Sequence, residues 1–203
     1  MDKSVSRKVV SCFVALLAGS GCGSGATGSA QLAGTWDSAG CETYPSSTGD
    51  SVYLKRRLNF TSTDVTLTTM LYNEKGCLTA FATSVFTARY SLGMPSATAA
   101  GASEIDYSVT TRAVTPLTSN AVSALSSGVG GTCGSGSWTI NQSGDVGGNG
   151  CPVLGIPSLA ACPRELDLIK VDGNSLSTGD RTVVDACKTR PTALITQAVV
   201  KSG

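Results

Sequence analysis

The chain has 203 residues, of which 41% are hydrophobic and only 14% charged, enough for one core once an N-terminal targeting segment is set aside. Fifteen basic against 14 acidic residues leave a formal charge of +1, and no basic run is interleaved with aromatics. Nucleic acid is therefore excluded as a partner, and the absence of any histidine excludes histidine-based catalytic triads.

The chain starts MDKSVSRKVVSCFVALLAGSGC, with Lys3, Arg7 and Lys8 ahead of an apolar run from Val9 to Ala18 and then small residues. That order of charge, hydrophobe and small residues is the order of a secretory signal over residues 1–22. The run is about half the roughly twenty residues that a membrane-spanning helix needs. Gly19, Ser20 and Gly21 before Cys22 resemble a bacterial lipobox, without the leucine usual three places before the cysteine. Cys22 is thus a candidate for lipidation and membrane anchoring. The alternative is cleavage after Ala30, which would release a soluble protein. Residues 23–30, rich in glycine and serine, read as a flexible tether, and 31–203 as one domain. The expected location is outside the cytoplasm, either lipid-anchored in a bacterial cell envelope or secreted.

Along the body the apolar period is two. GTWDS at 34–38 reads as a strand, YLKRRLNF at 53–60 as a second and DVTLTTMLY at 64–72 as a third, with a tight turn at 61–63. A long strand follows over 81–92, then SEIDYSVT from Ser103, ending before Pro116. TSNAVSALSSG predicts one short helix, capped by Thr118 or Ser119 and stopped by Gly128. The glycine-rich stretch 128–150 reads as turns or flexible loops. RELDLIKVDGNSLSTGD predicts a hairpin around Asp172 and Gly173.

Of eight cysteines, Cys12 and Cys22 belong to the signal, leaving Cys41, Cys77, Cys133, Cys151, Cys162 and Cys187. An even number in an exported chain implies disulfides, and no close cysteine pair or histidine suits zinc. Joining nearest neighbours gives 41–77, 133–151 and 162–187, one of fifteen possible pairings. Several short strands with turns between them argue for an all-β, antiparallel, lipocalin-like, half-open β-barrel with one short helix, braced by disulfides.

The sequence resembles the adenomatosis polyposis coli down-regulated 1 (APCDD) domain family. The resemblance rests on GTWDSAGCE at 34–42, YLKRRLNF at 53–60, LYNEKGC at 71–77, GASEIDY at 101–107, CGSGSW at 133–138, RELDLIKV at 164–171, LSTGD at 176–180 and TRPT at 189–192, which includes Arg190, Pro191 and Thr192. The animal proteins carry two such units, whereas this sequence shows one and so looks like a single-copy bacterial-type relative. Where the family follows the first cysteine and its glutamate with an arginine and a proline, Thr43 and Tyr44 precede Pro45 here, and Cys162 and Cys187 are additional. The resemblance implies a β-barrel with an open apolar pocket for an acyl chain, which in the animal proteins holds a lipidated Wnt signal.

Arg56 shares the phase of Leu54, Leu58 and Phe60, which points its charge inward, and it matches the arginine the family has in this strand. A buried guanidinium needs acidic or carbonyl partners; Glu42, Glu104 and Asp106 are the candidates. Arg56 then serves as a brace or as an anchor for a ligand headgroup, and the bland reading is that it snorkels to water. The candidate pocket comprises Trp36, Leu54, Arg56, Leu58, Phe60, Glu104 and Asp106. Glu104 and Asp106 as an acid–base pair would suit catalysis, but they alternate with Ile105, Tyr107 and Val109 as an outer strand face does. No G-x-S-x-G elbow and no phosphate-binding loop occur. The sequence therefore predicts an exported, non-enzymatic protein that holds a hydrophobic or lipid-acylated small molecule or a lipidated protein, with no cofactor and no metal. The alternative is an adhesin-like surface module with no internal ligand, using exposed loops such as 93–101 and 141–150.

Overall fold

The computed structural model describes residues 27–45, 51–128, 130–182 and 184–202; the proposed signal and Cys22 lie outside them. The period-two segments form strands, with the ends moved by a few residues. They are β1 (Gly34–Ser38), β2 (Glu42–Pro45), β3 (Ser51–Phe60), β4 (Asp64–Tyr72), β5 (Ala80–Pro95), β6 (Ser103–Pro116), β7 (Gly144–Asp145), β8 (Arg164–Asp172), β9 (Ser175–Thr178) and β10 (Val199–Lys201). All pairings are antiparallel.

From β3 to β6 the chain meanders. The first turn is fastened by Thr61, whose amide donates to the Asp64 carbonyl at 2.8 Å and whose hydroxyl accepts from the Asp64 amide at 2.9 Å. β8 then adds to β6, β9 to β8, β10 to β9 and β1 to β10, while β1 also pairs with β3. Eight strands thus follow one another around a closed ring of hydrogen bonds, and β2 and β7 sit off it. Asp172 faces Ser175, so the β8–β9 turn consists of Gly173, at φ 58°, and Asn174. That is one residue later than Asp172 and Gly173, with the positive φ falling on the residue that tolerates it.

β1 and β2 lie on the same edge of β3, but not in one register. Gly34 faces Phe60 and Glu42 faces Leu54, so eight residues on one strand span six on the other. The slack is taken up at Ser38 to Cys41. There the Ser38 hydroxyl stands in for a ladder partner, accepting from the Arg56 amide at 2.6 Å. This local kink turns Glu42 toward the interior, where it is 4% exposed.

One end of the ring is packed solid. Trp36, Phe60, Ile105, Ile169, Leu176 and Val199 are all buried in one cluster. Leu32, fully buried, joins it from the single helical turn α1 (Ser29–Leu32), and the Trp36 indole Nε1 donates to the Leu32 carbonyl at 2.7 Å. Residues 27–30 are therefore not tether. The Thr27 hydroxyl accepts from the Val171 amide at 3.2 Å, and burial of Leu32 against Trp36 orders a stretch whose composition alone would leave it loose.

The eight-residue helix α2 (Ser119–Ser126) is capped by Thr118, whose hydroxyl accepts from the Ala121 amide at 3.1 Å. Its Leu125 packs with Val114, Val146 and the Cys133–Cys151 bridge in a second cluster. The glycine-rich stretch around 128–150 is thus built into a small core of its own. At Gly150, φ is 75° and a Cβ would lie 2.6 Å from the Ile156 carbonyl, so glycine there permits a close crossing of backbone. Disulfides join 41–77, 133–151 and 162–187, the nearest-neighbour set. Among the described residues no helix is long and apolar enough to cross a membrane.

Candidate ligand-binding cavity

Toward the other end of the ring the side chains do not meet, and a cavity of about 540 Å³ remains. That lies within the range of sites for small molecules, about 300–1,000 Å³. Strands β3, β4 and β5 supply its apolar side through Leu54, Leu58, Val65, Leu67 and Phe86. Strands β6, β8 and β9 supply Tyr107, Glu165, Asp167 and Thr178. The rim comes from two segments tied by disulfides. One is the 3₁₀ turn Pro152–Leu154, beside the 133–151 bridge, which brings Leu154 and Gly155. The other is the strap between β9 and β10, which brings Arg181, Thr182 and Ile195. The strap is closed at its base by the Gly179–Leu194 bridge and held to the body by Cys162–Cys187.

Arg56 points inward, as its phase requires, and its partner is Glu42. Nε approaches the two carboxylate oxygens at 3.2 and 2.9 Å, Nη1 donates to the Thr178 hydroxyl at 3.0 Å and Nη2 to the Gln197 carbonyl at 2.9 Å. The side chains are 11% and 5% exposed, so this is a buried pair and not a snorkelling cation. Glu42 is further satisfied by the hydroxyls of Ser38 at 2.5 Å and Tyr44 at 2.7 Å. Burial pushes the Tyr44 phenol well above its usual range; Arg56 opposes this, and the hydrogen bond to Glu42 adds to it.

A second network lies beside the first. Arg112 donates to Glu165 at 2.7 Å. Arg181 donates to Glu165 and, through Nε and Nη2, to one oxygen of Asp167 at 3.1 and 2.7 Å. Asp167 also accepts from the amides of Leu168 at 2.8 Å and Gly179 at 2.9 Å. Burial nonetheless pushes its carboxyl up, exceeding what Arg181 and the amides return. Burial works against the Arg181 charge too, yet Asp167 and Glu165 hold it protonated. Three guanidiniums thus face three carboxylates, and of these six groups Arg56, Arg181, Glu165 and Asp167, two of each sign, line the cavity.

A family model described as "Adenomatosis polyposis coli down-regulated 1" matches residues 19–186. The chain belongs to the APCDD family. No curated protein matches it. Family membership points to an extracellular binding or interaction module, and the three disulfides are compatible with export.

In this APCDD domain, Leu54, Arg56 and Leu58 line the cavity, whereas Trp36 and Phe60 lie in the solid floor beneath it. Glu104 and Asp106 do not reach it. They face outward, because Ile105 and Tyr107 take the inward phase, and they meet arginines on the outer surface. Asp106 pairs with Arg164 and with Arg190 at 2.7 Å, and Glu104 lies 3.5 Å from Arg190. Arg190 Nη1 also donates to the carbonyl of Ile105 at 2.9 Å and to that of Asp167. It therefore clamps the strap across β6 and β8. Pro191 is buried beside Gly179, where a Cβ would come within 2.8 Å of it, while Thr192 is exposed; these three residues follow the matched span. Arg112, Glu165, Asp167 and Arg181 were not among the candidates. Three of them carried the same signal as Arg56: Glu165 and Asp167 share the phase of Ile169, and Arg112 that of Val114 and Pro116. Arg181 lies outside any strand and carried none. Among the described residues no group of side chains is arranged to hold a metal ion.

Proposed function

We propose that this APCDD-family chain is an exported, non-catalytic binding protein that takes the acyl chain of a hydrophobic or lipid-acylated ligand into the half-apolar cavity. The supporting observation is the unfilled volume inside the ring, about 540 Å³, walled on one side by Leu54, Leu58, Leu67 and Phe86 from three adjacent strands. Burial of each CH₂ there contributes about 0.8 kcal/mol. The cavity favours this reading over an adhesin-like module, which needs no internal space. No cofactor enters it. A lipid on Cys22 would hold the protein at a membrane surface, the source of such ligands.

The test is native mass spectrometry with lipid extraction of protein exported to a periplasm, followed by titration with acyl probes. A retained acyl compound, or uptake that Leu67→Trp reduces at least about tenfold, is expected, since an indole fills space the tail would occupy. A ligand-free spectrum with no uptake of any probe would count against a carrier and favour the surface module.

A further inference from the structure

We infer that the cavity selects an uncharged acyl lipid, an ester or amide whose carbonyl accepts a hydrogen bond from Tyr107, over a fatty acid with a free carboxylate; the inference rests on the carrier reading above. Two independent observations lead to it. The first is the charge inventory of the wall. Arg56 is taken by Glu42, and Arg112 and Arg181 by Glu165 and Asp167. An entering carboxylate would be stripped of water beside two existing carboxylates, Glu165 and Asp167, with no unpaired cation in the cavity lining to receive it; the buried guanidinium N–H without an acceptor, Arg112 Nε, belongs to a residue outside that lining. Burying an uncompensated charge is far more costly than burying a hydrogen-bonded neutral group.

The second observation is a polar group without a partner. Tyr107 is 4% exposed and lines the cavity, with its ring edge-on to Phe86 at 5.8 Å between centroids. Its hydroxyl makes no hydrogen bond among the described residues, unlike that of Tyr44, which Glu42 engages, and unlike Ser103 Oγ and Arg112 Nε it is not sealed from water, so it opens onto the cavity. Burial and the neighbouring Asp167 keep the phenol protonated, its pKa pushed far above the usual range, so it has a hydrogen to offer. A buried phenol normally finds a partner. Here the free volume lies where that partner would sit, next to the apolar side formed by Leu67 and Phe86. A neutral carbonyl at the head of a hydrocarbon tail fits both halves of this surface: the tail covers the leucines, and the acceptor satisfies Tyr107 without adding charge.

The experiment measures binding of three radiolabelled probes of equal chain length to the whole exported protein at pH 8, namely 1-monohexadecanoylglycerol, hexadecanoate and hexadecane. The glycerol ester is expected to bind at least about tenfold tighter than hexadecanoate, the carboxylate having to shed water without a counter-charge. Tyr107→Phe should weaken the ester about fivefold relative to hexadecane, the worth of one net hydrogen bond, so that the ratio of ester to hexadecane binding falls by that factor. Hexadecanoate binding as tightly as the ester overturns the inference while leaving the carrier reading intact. So does an equal loss of ester and hexadecane in the variant, which would mark Tyr107 as a packing residue only. No uptake of any probe overturns the carrier reading and this inference together. Should Tyr107→Phe fail to fold, the ratio of ester to hexadecanoate in the unaltered protein still decides.

Discussion

Replacing Arg56 with leucine removes a guanidinium that makes three kinds of contact in the interior: two approaches to Glu42 at 3.2 and 2.9 Å, one to Thr178 at 3.0 Å and one to the Gln197 carbonyl at 2.9 Å. The cost is set less by those bonds than by what they leave behind. Glu42, 5% exposed in its side chain, keeps the hydroxyls of Ser38 and Tyr44 but loses its counter-charge. Breaking one side of a buried pair typically costs about 3–5 kcal/mol, a large share of the roughly 5–15 kcal/mol that holds a domain folded. The sharper expectation concerns the double variant. Arg56→Leu with Glu42→Leu removes the orphan along with the cation and should recover about half of the loss or more, a coupling of at least about 2 kcal/mol. Urea unfolding with the disulfides intact, followed by the fluorescence of buried Trp36, reads all four corners of the cycle. A single-variant cost below about 1 kcal/mol, or a double variant that merely adds the two singles, would refute the claim that this pair is desolvated and internally balanced.

Three further outcomes follow from the geometry. On the outer face, burial alone would raise the Asp106 carboxyl, but its hydrogen bonds from Arg190 and Arg164 leave it below the ordinary carboxylate value. A group lowered in the folded state contributes stability above its unfolded pKa of about 4 and loses it as pH falls through the folded value. Asp106→Asn should therefore lower the melting temperature at pH 7 and converge on the unaltered protein near pH 2; a gap independent of pH would sink this. Cys162→Ser with Cys187→Ser opens a bridge of sequence separation 25, worth about 3.5 kcal/mol by loop entropy. It should also speed hydrogen exchange at the amides of Gly179, Asp180 and Ile195, which the strap's base protects; unchanged exchange would mean that the strap is held by Arg190 and backbone pairing alone. Leu32→Ala should cost about 2–5 kcal/mol for a fully buried leucine, measured by urea denaturation, whereas a change within about 0.5 kcal/mol would show that residues 27–32 contribute nothing to the fold.

The strands were legible because alternation is imposed locally by the pleat, and an arginine in the apolar phase of YLKRRLNF is a local observation too. Which acid Arg56 would meet was not local. Glu42 reaches it only because two extra residues at the β1–β2 junction reset the register, an event no period reveals. Glu104 and Asp106 stood one residue out of phase with Ile105 and Tyr107, and the outer arginines that engage them, Arg164 and Arg190, are 58 and 84 positions away in sequence from Asp106. Three of the four members of the Arg112–Glu165–Arg181–Asp167 network were legible, since Glu165, Asp167 and Arg112 break the apolar phase of their strands as visibly as Arg56 does. Arg181 owes its place to the strap, whose path is set by a disulfide and a clamp rather than by any periodic pattern. The glycine-rich stretch misled in the opposite direction. Its glycines mark tight backbone crossings around Cys133–Cys151, and composition alone does not separate such crossings from slack. The short β10 and the helical turn α1 lack any repeat long enough to show a period, yet they complete the ring and its floor.

The layer of Trp36, Phe60, Ile105, Ile169 and Val199, with Leu32 packed into it, closes the hollow on that side. An acyl chain bound as proposed would lie with its methyl end toward that floor, and its permitted length would be measured from the floor upward. Enlarging or trimming Leu58 or Val65, which stand at that depth, would move the stop without touching the entrance.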